Sequence, residues 1–176
     1  MIKNSGDLSP NFCIWSNKGE MTMLGKKRKI GRLISDISVG EKLVLTEAIE
    51  DKDLLLYLGL TNDANPLYIQ HDYASQTPLK RPIVPAIMLT GMITSAISKY
   101  LPGPGSHIVS QTIEFKRPVY HYEHVEFLFE VTHVDEENNE IHIAVQAVRD
   151  GEEILVGALR VVPPYPFMEE KALDNF

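Results

Sequence analysis

The chain of 176 residues contains a single cysteine, Cys13. One thiol forms neither an intrachain disulfide nor a thiolate cluster for structural zinc, so the sequence fits a reducing, cytoplasmic setting. A basic surplus is also missing: 17 Lys and Arg stand against 24 Asp and Glu, for a net charge of -7. That is a poor electrostatic footprint for a phosphate backbone, and no nucleic-acid partner is expected. The one basic run, GKKRK at 25–29, reads as a solvated segment. No stretch approaches the ~20 apolar residues of a membrane span, and the opening MIKNSGDLSPNFCIWS lacks the apolar core of a signal peptide. Neither a membrane nor export is expected. His107, His121, His124, His133 and His142 are scattered at no metal-ligand spacing, and no metal or other cofactor is expected.

What remains is ordinary globular material, 44% apolar and 23% charged, long enough for one domain with a real core. Residues 1–29 show no sustained period of 2 or 3.6 and read as a flexible N-terminal extension. The domain is expected over 30–163, with 164–176 as a tail. EKLVLTEAI (41–49) is strand-like, and EDKDLLLYLGL (50–60) opens a helix with acids that complement its dipole, Gly59 being placed to end it. RPIVPAIMLTGMITSAISKYL (81–101) predicts a helix with Pro85 in its first turn. Its apolar residues cover much of the circumference, which predicts a central helix enclosed by protein.

LPGPG (101–105) stops that helix, and four segments of period 2 follow. They place Val109, Ile113 and Phe115 on one face, then Val125, Phe127, Phe129 and Val131, then Ile141, Ile143, Val145 and Ala147. Asp150-Gly151 signals a hairpin into the last strand. The expected fold class is α+β, a curled antiparallel sheet of about five strands wrapped around one long helix. Open sheet edges predict a dimer.

Between the two helical runs lies LTNDANPLYIQHDYA (60–74), too polar for a core and dense in special residues. The element order, together with NDANPLY…DYA and PIV…LPGPG…SQTIEFKRPV, resembles the MaoC-like dehydratase, or (R)-specific enoyl-CoA hydratase, branch of the hotdog fold over about 30–163. The family hallmark is G-D-x-N-P-x-H with an alanine six residues after the histidine, then P-[IV]-x-H-G-M at the head of the central helix. Asp63, Asn65, Pro66 and Ala74 match it. Asn62 replaces the glycine, Tyr68 stands at the catalytic histidine, and Pro85-Ala86 replaces the His-Gly pair.

The resemblance implies reversible hydration of a 2-enoyl thioester, carried by coenzyme A or acyl carrier protein, to the (R)-3-hydroxyacyl thioester by a homodimer or higher hotdog oligomer. It assigns Asp63 to acid/base work, the Ala86 N–H to the thioester oxygen and the Thr94 hydroxyl to the site. It runs the acyl chain past Met88, Met92 and the Phe127 or Phe129 face. Each assignment has a structural counterpart. Asp63 can instead cap the short helix beginning near Pro66, and Thr94 can bond its own preceding turn. Asn65 and Pro66 are read as shaping the loop. Tyr68 either donates a hydrogen bond to water or thioester, or fills the histidine's space, because a phenol titrating ordinarily near ~10 is a poor base at neutral pH. His71, three residues on and expected on the same helical face, is either a displaced imidazole or a surface histidine. With the histidine replaced, two further functions stay open: a catalytically silent acyl-CoA-binding hotdog protein, or one subunit of a heteromeric hydratase.

Overall fold

The computed structural model describes residues 30–166. The expected extension at 1–29 and the part of the tail beyond 166 lie outside the described residues. In chain order come β1 (Lys42–Ala48), α1 (Asp51–Thr61), α2 (Pro66–Ile69), α3 (His71–Ser75), α4 (Ala86–Lys99), β2 (His107–Phe115), β3 (His124–Asp135), β4 (Glu140–Arg149) and β5 (Glu152–Val162).

The strands form one antiparallel sheet in the order β1-β3-β4-β5-β2. β1 and β2 are therefore the edges, and two segments must cross the sheet. One is the helical stretch between β1 and β2; the other is 116–123, which returns the chain from the β2 edge to β3. The two meet where the Val84 N–H donates to the Val119 carbonyl at 2.8 Å and Ile83 bridges Tyr120.

Alternation in β3 and β4 is as expected: Val125, Phe127, Phe129 and Val131, then Ile141, Ile143, Val145 and Ala147, are all buried. They pack with Leu89, Ile93, Ala96 and Ile97 of α4 to make the core. Each such large side chain contributes roughly 1.5–3 kcal/mol by leaving water, and this is what seats the helix on the sheet. Asp150 and Gly151 turn the β4–β5 hairpin, both at positive φ (50° and 79°), the conformation a tight type I′ turn requires.

Four local expectations are corrected. Gly59 lies inside α1; the cap falls to Asn62, held left-handed at φ 54° with its N–H on the Leu58 carbonyl at 2.8 Å. Asparagine tolerates that conformation better than most side chains. In β2 a register shift between Ile108 and Ser110 turns the inward face, so Ile108 and Ile113 pack on the core while Val109 and Phe115 are exposed. A bulge adds one residue and breaks strict alternation. Pro85 is the residue before α4 rather than in its first turn. Finally, α4 is not enclosed on all sides, because Ala86, Ile87, Gly91 and Thr94 form an exposed stripe.

Candidate functional site

The polar stretch folds into the two short helices α2 and α3, which pack on each other between α1 and α4 in the chain. Asn65 starts α2: its side-chain oxygen accepts the Leu67 N–H at 3.0 Å, and Pro66 follows in the first turn, where its missing N–H costs nothing. The cap of α2 is thus Asn65 and not Asp63. Ala74, fully buried in α3, anchors the far end.

Asp63 is half-buried and held twice. Its Oδ1 accepts the Asn65 N–H at 3.2 Å, and its Oδ2 accepts the Tyr57 hydroxyl at 2.7 Å. The Tyr57 phenol is pushed above its ordinary value of 10, first by this hydrogen bond and then by burial. It therefore keeps its proton and stays a donor to the carboxylate. The Tyr57 ring in turn meets Tyr68 edge-on, with centroids 6.5 Å apart and planes at 77°, a favoured aromatic geometry. Tyr57 was invisible to motif reading. It lies six residues before Asp63, mid-way along α1, and reaches the carboxylate because Asn62 reverses the chain.

Tyr68 also lines a cavity of about 430 Å³. Leu54, Leu55 and Leu58 of α1, with Ile69 and Pro82, give it an apolar lining; His71, Arg81, Tyr120, His121 and Tyr122 add polar groups, and Asp51 completes it. His71 begins α3 rather than continuing the helix of Tyr68, yet the two reach the same cavity. Tyr122 donates its hydroxyl to Asp51, which raises the phenol above its ordinary range, chiefly through that bond. Met88, Met92, Phe127 and Phe129, expected beside an acyl chain, are packed into or against the core and do not line this cavity.

His121 is the second residue that motif reading passed over. Its side chain is only 13% exposed, and both ring nitrogens are buried with no hydrogen-bond partner among the described residues. Asp51 Oδ1 approaches Nδ1 to 3.7 Å, beyond hydrogen-bond range. Burial pushes the imidazole below its ordinary value of 6.5; Asp51 opposes this and His71 adds to it. The loop bearing His121 is pinned by Glu123, which accepts from Arg149 (2.8 Å), Arg81 (2.8 Å) and the Tyr120 N–H (2.9 Å). The Arg81 guanidinium carbon sits over the Tyr120 ring, 3.9 Å from its centroid.

Ala86 is the first residue of α4, so its N–H belongs to the turn that has no intrahelical acceptor, at the positive end of the helix. Thr94 is exposed and donates its hydroxyl to the Thr90 carbonyl at 3.0 Å, the local bond that helix hydroxyls commonly make. Among the described residues no group of three His, Cys, Asp or Glu is placed to hold a metal, and no helix is long and apolar enough to cross a membrane.

Comparison with known proteins bears on the family and the fold. Residues 36–152 match the family model for the MaoC like domain. The chain is similar to a 3-hydroxybutyryl-CoA dehydratase of Methylorubrum extorquens, 30% identical over 73% of this chain and 82% of that one. It is similar to an (R)-specific enoyl-CoA hydratase of Rhodospirillum rubrum, 37% identical over 48% of this chain; that match spans just over half of the relative, 58%. In three dimensions it resembles the unliganded R-hydratase of Pseudomonas aeruginosa, with a TM-score of 0.72 and 27% identity over 77% of this chain and 88% of that one. The buried helix on a curled five-stranded antiparallel sheet is accordingly the hotdog fold, and the chain belongs to the MaoC-like dehydratase domain family.

Proposed function

We propose that this protein is an acyl-thioester hydratase/dehydratase, reversibly adding water to a 2-enoyl thioester to give the (R)-3-hydroxyacyl thioester. The observation that carries the reading is Asp63, fixed by the Tyr57 hydroxyl and the Asn65 N–H; Tyr57 meets Tyr68, which lines a cavity that Asp63 itself does not line. The names of the relatives, a CoA hydratase and a CoA dehydratase, supply the substrate class. Coenzyme A and acyl carrier protein are both carriers to be tried.

In hydration the water oxygen bonds to C3 as its proton is taken up. The π electrons move onto the thioester oxygen, and C2 is then protonated as the carbonyl re-forms. Two of the Asp63 lone-pair positions are taken by protein donors, and an ionised carboxylate has about four, so the group can still hold a water. The first-turn N–H of Ala86 is the donor for the oxygen on which charge develops. Tyr68 serves as a hydrogen-bond donor and as a wall of the cavity. Asn65 and Pro66 hold the segment in place. A dimer is part of the proposal: it would protect an open sheet edge and cover the exposed α4 stripe at Ala86, Ile87 and Thr94.

The test is enoyl-CoA hydration by the unaltered protein beside Asp63→Asn and Tyr68→His. The unaltered protein should turn over and Asp63→Asn should lose at least about 100-fold, the scale of a lost acid/base group. Tyr68 at the histidine position favours a second reading, a thioester binder that performs no chemistry. On that reading acyl-CoA raises the melting temperature, only Tyr68→His gains turnover, and the hydratase proposal is discarded.

A further inference from the structure

The motif supplies Asp63 but does not aim it. A carboxylate on a loop turns about its last side-chain bond, whose preference is broad and roughly two-fold, and the motif donor, the Asn65 N–H, reaches only Oδ1. We infer that Tyr57, which lies outside the motif in α1, is the positioning residue for Asp63: its hydroxyl sets the plane of the carboxylate and so the direction in which the proton moves. The inference rests on the hydratase reading and deepens it.

Three observations carry it. First, the two oxygens are held from different elements: Oδ2 accepts the Tyr57 hydroxyl at 2.7 Å and Oδ1 the Asn65 N–H at 3.2 Å. One donor leaves the group free to swing about that bond; one on each oxygen stops it. With about two lone-pair positions per oxygen, a position on each stays open for water. Second, the backbone at both ends of the Tyr57–Asp63 bond is tied through a single side chain. The Thr61 hydroxyl donates to the Tyr57 carbonyl at 2.8 Å and accepts the Asp63 N–H at 3.3 Å, while Asn62 makes the left-handed turn between them at φ 54°. Third, the Tyr57 ring is braced: Tyr68 meets it edge-on at 6.5 Å, so the hydroxyl has a fixed origin. The phenol, raised above its ordinary value of 10 chiefly by its bond to Asp63, stays protonated and acts as a donor throughout.

Tyr57 acts through Asp63 and takes no part in bond making. Asp63 accepts the proton of the attacking water as the oxygen–C3 bond forms, and returns it to C2 as the thioester carbonyl re-forms. One water is added, the carboxylate ends ionised as it began, and the Tyr57 proton never leaves its oxygen. With Tyr68 in the place of the motif histidine, one carboxylate carries both transfers, so its direction governs both. A misaimed group costs about 100-fold in rate for roughly 1 Å of displacement. Tyr57→Phe keeps the ring and its edge against Tyr68 and removes only the hydroxyl, which separates aim from packing.

The experiment compares the unaltered full-length protein with Tyr57→Phe, Asp63→Asn, the double variant and a control, Tyr100→Phe, which alters an exposed tyrosine just after α4. Substrates are 2-enoyl-CoA esters of short and medium chain. Tyr57→Phe should lower kcat by about 10-fold or more with KM little changed. The double variant should be no slower than Asp63→Asn, because a hydroxyl that acts only through the carboxylate has nothing left to aim. Tyr100→Phe should behave as the unaltered protein does. Suppose the unaltered protein turns over and Asp63→Asn loses activity. If Tyr57→Phe then keeps its kcat, or the double variant falls about 10-fold below Asp63→Asn, the inference fails and the hydratase reading stands. If the unaltered protein consumes no enoyl thioester, or Asp63→Asn keeps its rate, both fall together. NMR of ring-labelled tyrosine covers a Tyr57→Phe that misfolds. In the unaltered protein the Tyr57 phenol must titrate above its ordinary value and return toward it in Asp63→Asn; a titration that Asp63→Asn leaves unmoved overturns the inference.

Discussion

Replacing Glu123 by alanine removes the acceptor at the centre of the crossover loop, and the size of the loss can be worked from the contacts. Glu123 is 19% exposed and Arg149 16%, whereas Arg81 is 57% exposed. The Arg81 pair, largely in water, is worth less than about 1 kcal/mol. Removing one partner of a fully buried pair costs roughly 3–5 kcal/mol. Arg149, however, keeps Glu152 at 2.9 Å and the Pro118 carbonyl at 3.0 Å. Its loss is therefore placed near 2 kcal/mol, with about 1 more for the orphaned Tyr120 N–H. The expected destabilisation is about 3 kcal/mol, or roughly 6–12 °C in melting temperature for a chain of this size. Circular dichroism melts and urea titrations check it; the urea midpoint should fall with an unchanged slope. Glu126→Ala, at an exposed position on β3, serves as control and should move stability by less than about 0.5 kcal/mol. A Glu123→Ala shift no larger than the control's would refute the view that this network pins the loop.

Two further outcomes follow from particular contacts. Burial holds the His121 imidazole below its ordinary value of 6.5, so between those two values the unfolded chain binds more protons than the folded one. Its stabilising share is full above the ordinary value and is lost as pH falls from there to the depressed value. His121→Phe should accordingly lose less melting temperature than the unaltered protein between about pH 7.5 and about pH 5.5, and equal losses would contradict the depressed value. A Cβ at Gly157 would lie 2.6 Å from the Thr112 carbonyl oxygen across the β5–β2 pair. Gly157→Ala should therefore destabilise by about 1–3 kcal/mol in urea unfolding, the usual cost of overpacking.

Much of this architecture was legible in local pattern. Strands β3 and β4 have a regular period of 2, and their buried residues follow it without exception. The Asp-Gly turn and the acids opening α1 act over a few residues, within reach of sequence reasoning. Errors arose where a distant partner decides. The bulge in β2 depends on how that strand meets β5, and the enclosure of α4 depends on what covers its outer stripe. In the site, Asp63 and Asn65 could be read from the motif, since each acts on backbone within two residues. Tyr57 and His121 could not. The first meets Asp63 only because Asn62 reverses the chain, and the second is buried only because the crossover loop is pressed against α1.

The two crossings of the sheet also govern when the cavity comes into existence. One wall comes from 51–71 with Arg81 and Pro82 and the other from 120–122, and the second is in place only after β2 has taken one edge of the sheet and β3 has paired with β1 at the other. Such long closures are slow steps in folding, since their entropy must be overcome before any contact rewards it. Ligand competence should therefore appear last during refolding, after the helical signal has recovered. A nascent or partly opened chain would carry the whole motif and still be unable to recognise a ligand.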